Sequence, residues 1–232
     1  MPLPDMVESF NLPPPPGFRG LQPDWPVTMY ERHLPHWRQK GATYYVTFRL
    51  ADSLAQSKVE QLRHWRNLWE RTHPPPRTDS DWAELAKQFT TQIEAWMDEG
   101  DGECVFRSEP LARLLADALL HFQNQRYVVS SYVVMPNHCH VIVRPLGDYR
   151  LEAILDSWKG FVGLEVNKRL NRHGQLWQEE SYDRIVRDEE HLFRVVQYIG
   201  RNPRKAGLRA ELWHRWIDPE WERAGWGFRD EA

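Results

Sequence analysis

The chain has 232 residues, 41% of them hydrophobic and 27% charged, with a formal net charge of −3. That length accommodates one sizeable core with appendages, the composition is that of an ordinary globular protein, and the net charge excludes a uniformly basic chain. Two cysteines, Cys104 and Cys139, exclude a disulfide framework. No apolar run reaches membrane-spanning length and no signal-peptide pattern opens the chain, so a cytoplasmic location with no membrane partner is expected. Twelve Trp residues are many for this length.

Residues 1–41 carry Pro13 to Pro16, Pro23, Pro26 and Pro35 and are expected to form an arm, because proline supports neither a helix interior nor a central strand. Thr43 to Leu50 alternates β-branched and aromatic residues and is predicted as a strand. Ser57 and Glu60 have capping-box spacing, and Val59, Leu62, Trp65 and Trp69 follow at helical spacing to about Arg71. His73-Pro-Pro-Pro76 breaks that helix. Leu85, Phe89, Ile93 and Trp96 mark a second one, ending at Gly100. This acidic helical pair reads as an insertion over residues 56–104. A further helix from about Pro110 presents Leu111, Leu114, Leu115, Ala118, Leu119 and Phe122 on one face.

Tyr127 to Met135 and His138 to Arg144 are predicted as a hairpin around Pro136-Asn137. A long helix follows from Leu151 to about Asn171, then a strand from Leu176 to Val186. Asp188 caps a last helix with Leu192, Phe193, Val196 and Ile199, expected to end at Pro203 because the residue before a proline disfavours helix. The order implies an α+β fold over residues 42–210: a ferredoxin-like antiparallel sheet with helices packed on one face. Residues 211–232, with Trp213, Trp216, Trp221 and Trp226, form a Trp-rich tail that reads as a packing flap or a ligand-contacting arm.

The most informative motif is His138-Cys139-His140. Successive side chains in a strand point to opposite faces, so both imidazoles project the same way, about 7 Å apart at the backbone, with Cys139 facing away. Two histidines on one face can clasp one metal ion. Sixty residues later, Tyr198 and Asn202 are four apart on the last helix and share a face. An amide oxygen from Asn202 can complete the ligand set for a hard divalent ion, beside a phenol suited to nucleophilic attack. Imidazole suits Mn²⁺ or Zn²⁺ better than Mg²⁺ by softness. Tyr182 is the rival nucleophile. No glycine-rich phosphate loop and no HExxH motif occurs, which argues against a nucleotide-driven enzyme and a zinc hydrolase.

Met135-Pro-Asn-His-Cys-His-Val-Ile-Val143, Trp177-Gln-Glu-Glu-Ser-Tyr-Asp-Arg-Ile-Val-Arg-Asp-Glu189 and Tyr198-Ile-Gly-Arg-Asn-Pro-Arg-Lys-Ala-Gly-Leu208 resemble, in this order, the single-tyrosine HUH transposases, and most of all the REP-associated tyrosine transposases. The resemblance implies an HUH domain that cuts and rejoins single-stranded DNA beside a hairpin, through a covalent 5′-phosphotyrosine, with Mg²⁺ or Mn²⁺ as cofactor. His138 and His140 would then be metal ligands and Tyr198 the nucleophile; insertion-sequence relatives often place glutamine where Asn202 stands. A relative that grips the hairpin without cleaving it is the competing implication. Either would be nucleoid-associated when bound to DNA, as a monomer or a homodimer.

Between Arg150 and Arg215 the chain carries 13 Lys/Arg against 10 Asp/Glu, an excess hidden by the net charge. Lys159, Lys168, Arg169, Arg172, Arg184, Arg187, Arg201, Arg204, Lys205 and Arg209 are the candidate phosphate contacts. Trp158 and Trp177 are candidates for base stacking. Glu179, Glu180 and Asp183 read either as further ligands or proton relays, or as salt-bridge partners.

Overall fold

The computed structural model describes residues 11–31 and 35–229; the first ten residues of the predicted arm and the last three of the predicted tail lie outside this range. In chain order the elements are β1 (Thr28–Glu31), β2 (Pro35–Arg38), β3 (Tyr44–Arg49), α1 (Gln56–Thr72), α2 (Asp79–Asp98), α3 (Glu109–Leu120), β4 (Tyr127–Val134), β5 (His138–Pro145), α4 (Leu151–Arg169), β6 (Tyr182–Ile185), α5 (Glu189–Lys205) and β7 (His214–Ile217). β1 and β2 make a separate hairpin, and the remaining strands form one antiparallel sheet ordered β6-β3-β5-β4-β7. Leaving out β7, the β3-α-β4-β5-α4-β6 path is the predicted ferredoxin-like topology.

Strand alternation splits the molecule into two apolar layers. Tyr44, Val46, Phe48, Val129, Tyr132, Cys139, Val141 and Val143 face α3 and α4. Tyr45, Val133 and Ile142 face Leu192, Val195, Val196 and Ile199 of α5, with Ile217, Trp221 and Trp226 completing that layer. Each such fully buried aliphatic side chain contributes on the order of 1.5–3 kcal/mol. The expectation of helices on one face therefore holds for α3 and α4 and needs one addition, because α5 covers the opposite face. A sheet is buried on both sides when both sets of alternating residues are largely apolar, as they are in β3, β4 and β5.

Three local expectations are corrected and one is narrowed. Ser57 lies inside α1, whose N-cap is Ala55 with no side-chain cap; the capping box belongs to α2, where Thr78 and Asp81 exchange bonds. The strand expected from Leu176 is only Tyr182–Ile185, preceded by a single bridge between Leu50 and Trp177. The Gln178 and Glu179 carbonyls instead accept from Lys159 Nζ at 2.7 Å each. α5 runs through Pro203 to Lys205. Arg215 Nη1 donates to the Gly200 carbonyl at 2.9 Å, supplying a donor next to the turn that proline disrupts. Of the two readings of the tail, packing is the one these contacts match: β7 is an edge strand on β4, and the buried Trp221 and Trp226 donate to the carbonyls of Pro16 and Pro13, pinning the arm.

The β1–β2 hairpin is held by charge. His36 Nδ1 lies 2.7 Å from Asp183 Oδ1 and its Nε2 3.1 Å from Glu180 Oε1. Arg38 pairs with the same Asp183, with Glu152 of α4 at 2.5 Å, and with the Tyr30 hydroxyl at 3.0 Å. Burial pushes the His36 pKa down, but the bonds to Asp183 and Glu180 outweigh it and raise it to about 9. A raised folded pKa stabilises fully below the unfolded value of about 6.5 and is lost as pH climbs through the folded one. The melting temperature is expected to fall between pH 7 and 10, and His36→Gln to flatten that part of the profile; parallel profiles for the two proteins would refute the assignment.

Candidate active site

β5 pairs with β3 so that His138 lies opposite Arg49 and His140 opposite Thr47, all on the α5 side of the sheet. The hairpin turn delivers His138 with its partner attached: Asn137 Oδ1 lies 2.8 Å from His138 Nδ1, while Asn137 Nδ2 donates to the carbonyls of Met97 at 3.2 Å and Asp101 at 3.3 Å. The Asn137 oxygen is therefore an acceptor, the proton sits on His138 Nδ1, and Nε2 presents a lone pair. His140 Nδ1 lies 2.7 Å from both the Tyr45 and Thr47 hydroxyls, and its Nε2 lies 3.2 Å from Asn202 Nδ2. Both hydroxyls can donate or accept; with Nδ1–H donating to one of them, the tautomer that ligation through Nε2 requires, Nε2 carries the lone pair.

The two Nε2 atoms are 3.1 Å apart. Two nitrogens bonded to one ion at about 2.1 Å, at angles between ~90° and ~109°, stand roughly 3.0–3.4 Å apart. Both imidazoles are kept in the neutral, ligating form. Burial first, then the positive charge of Lys205, pulls His138 down to about 3, and burial together with His138 and Lys205 holds His140 well below the usual range. Asn202 Oδ1 is buried without a hydrogen-bond partner; exchanging the amide oxygen and nitrogen turns it toward the Nε2 pair. Among the described residues no third His, Cys, Asp or Glu joins the pair. Two neutral imidazoles and one amide oxygen fit a divalent ion of the Mn²⁺ or Zn²⁺ type, and do so with open coordination positions.

Tyr198 and Asn202 occupy adjacent turns of α5, as their spacing predicts. The Tyr198 ring sits edge-on to His140, centroids 5.4 Å apart, and edge-on to Tyr45 at 6.3 Å. Its hydroxyl is shielded from solvent and lacks a well-formed hydrogen bond. Burial first, then the carboxylates of Glu94 and Asp98, hold the phenol well above its ordinary range. Tyr182 is also on this side, but on β6, two strands from β5, with its hydroxyl beside Thr90.

The candidate basic residues scatter. Arg184 stacks its guanidinium on Tyr45 at 5.1 Å and Lys205 lies 5.9 Å from the Tyr198 ring centroid, so both belong to the site. Arg201 and Arg204 are on exposed positions of α5, and Arg187 and Arg209 flank that helix. Lys159, Lys168 and Arg169 are on α4, across the sheet from the histidines, and Arg172, just past α4, pairs with Glu103. Trp158 and Trp177 are core residues: the first donates to the Tyr127 hydroxyl at 2.8 Å, the second stacks on Phe106 at 5.3 Å. Glu180 and Asp183 are the salt-bridge partners of His36, on the far face, while Glu179 gives its backbone carbonyl to Lys159.

Four site residues escaped the sequence reading: Tyr45, Thr47, Arg49 and Asn137. The first three were signalled by period two along β3, which places 45, 47 and 49 together. Glu94 carried no such signal, because it arrives from the insertion.

Among solved structures the chain is similar to a REP-associated tyrosine transposase bound to a REP hairpin, at 18% identity and a TM-score of 0.37, covering 78% of this chain and 76% of that chain. No family model matches the chain, and no curated protein does.

Mn²⁺ at about a hundred times its dissociation constant is expected to stabilise the folded chain by about 2.7 kcal/mol, seen as a rise in melting temperature. His140→Ala should abolish that rise and Asn202→Ala reduce it. An intact chain indifferent to Mn²⁺, Zn²⁺ and Mg²⁺ alike would remove the metal reading.

Proposed function

We propose that this chain is a DNA strand-cleaving and rejoining enzyme of the single-tyrosine HUH type, acting on single-stranded DNA beside a hairpin. The observation that carries the reading is the convergence of Tyr198, Asn202, His138 and His140 on one buried point of the sheet, from two segments sixty residues apart. His138, His140 and Asn202 would hold the divalent ion. When bound, such an ion supplies Lewis-acid polarisation of a phosphate oxygen.

The chain's own residues account for the rest. The Tyr198 oxygen is the attacking group: it gives up its phenolic proton as its bond to phosphorus forms and the bond from phosphorus to the 3′ oxygen breaks, and that oxygen takes up a proton and leaves as a hydroxyl. The energy of the broken ester is kept in the 5′-phosphotyrosine, so rejoining needs no nucleotide, in keeping with the missing phosphate loop. Arg184 and Lys205 orient the phosphate and offset its charge. Asn137, Tyr45 and Thr47 hold the imidazole rings so that their Nε2 atoms aim at one point. Tyr198 reaches this point from its own chain, which favours attack in cis by a monomer.

A hairpin-binding protein without chemistry is the alternative, and one substitution separates the two. With 3′-labelled hairpin oligonucleotides and Mn²⁺, the intact protein is expected to form a denaturant-resistant adduct. Tyr198→Phe should abolish it and leave binding within about threefold, because only the attacking oxygen is removed. Adduct formation that survives in Tyr198→Phe and vanishes in Tyr182→Phe transfers the role to Tyr182; binding with no adduct from the intact protein favours the binding module.

A further inference from the structure

The proposed nucleophile is sealed. Tyr198 Oη is out of reach of solvent, and His138, His140 and Asn202 are each no more than 1% exposed. A phosphodiester cannot touch the phenol in this state, so something must move, and the structure identifies what stands in the way.

It is one face of α2. Thr90, Glu94, Met97 and Asp98, spaced along successive turns, lie over the site. The Thr90 hydroxyl is beside that of Tyr182, and the Glu94 carboxylate is beside Tyr198 and near Arg184 and Lys205. Asp98 Oδ2 is 2.7 Å from Lys205 Nζ. The carbonyl of Met97 receives the Asn137 amide that also positions His138. α2 carries five Asp/Glu against one Lys. Two of these carboxylates, Glu94 and Asp98, thus occupy the neighbourhood of the two cations that a DNA phosphate would use.

The helical pair is built to move as a unit. α1 and α2 pack on each other through their own apolar clusters, Leu54, Trp96 and Met97 with Val59, Leu62, Trp65 and Ile93, and then Trp69, Trp82 and Leu85 with Phe89. Trp37 of β2 is the apolar link at the distal end. At the base, Gly100 and Gly102 take positive φ angles of 76° and 84°. A side chain on Gly102 would strike the Asp52 carbonyl at 2.5 Å, so the two stems meet where only glycine fits.

We propose that the α1–α2 pair is an acidic lid over the tyrosine and histidine site, which releases Lys205 and Arg184 when it swings away and so admits the phosphate backbone of single-stranded DNA. This rests on the functional reading above. It adds that access is controlled from the insertion, through Asp98, Glu94 and the Asn137 contact.

Two measurements on the full chain test it. Native-state hydrogen exchange of the free protein is expected to show residues 56–98 opening together at least a hundredfold more often than β3 and β5; exchange of α2 only with global unfolding overturns the lid whatever the protein does to DNA. In the second, the Glu94→Gln/Asp98→Asn double variant, checked for native circular dichroism, is compared with the intact chain for affinity to a 30-nucleotide oligothymidine. At least tenfold tighter binding is expected; equal or weaker binding overturns the lid, the weaker result marking the carboxylates as parts of the site's working form. If neither protein binds the oligonucleotide, the DNA reading fails, and hydrogen exchange alone decides whether the insertion opens.

Discussion

The structure turns on one arrangement: two neutral imidazoles buried on the same side of a central strand, with their Nε2 atoms 3.1 Å apart. Such a pair is unfavourable in an apolar interior unless each ring is satisfied on its other nitrogen and the facing Nε2 atoms either share a proton or meet an electron-deficient group. The fold meets the first requirement with Asn137 for His138, and with Tyr45 and Thr47 for His140. Register does the rest. A slip of one residue between β5 and β3 would bring Cys139, now in the α3–α4 core, to the α5 side and send both histidines into that core.

Given that strand, the position of α5 follows. A helix covering the second face of the sheet must bury Leu192, Val195, Val196 and Ile199, and this rotation turns Tyr198 and Asn202 toward β5. Gly200, between them in sequence, faces the other way, where a methyl group would lie 2.7 Å from Phe228. The helix is clamped between the sheet and the C-terminal segment, so the phenol and the amide are placed by packing on both sides. The Trp-rich end of the chain serves the site in this indirect way. Trp221 and Trp226 fill the second apolar layer and tie it to the proline-rich arm.

Much of this was legible in the sequence because it depends on short-range periodicity. Period two in 43–50 and 138–144 gave the central strands and the shared side of the histidines, and the four-residue spacing gave the shared side of Tyr198 and Asn202. What was not legible depends on partners distant in sequence. Proline rules predicted that α5 ends at Pro203, but the helix runs on to Lys205 with Asn202 and Pro203 buried, and Arg215 of β7 bonds its Gly200 carbonyl. Leu176 to Val186 looked like one strand, but Lys159 takes the carbonyls of Gln178 and Glu179 that a continuous ladder would need. Glu180 and Asp183 stood in a motif-rich stretch, yet alternation in β6 sends Asp183 to the far face, where His36 and Arg38 wait.

Charge shows the same division between local and long-range information. A net charge of −3 conceals a site where Arg49, Arg184 and Lys205 surround two uncharged histidines. Burial is the largest influence holding the imidazoles neutral, and the nearby cations act in the same direction, so neither ring carries a proton charge near neutral pH. Glu94 and Asp98 of α2 offset part of that positive field, and among the described residues no carboxylate joins the two histidines in a cluster. A basic cluster concealed at one point of the sheet leaves little trace in the total, so the overall charge says little about this site and the distribution across the two faces of the sheet says a great deal.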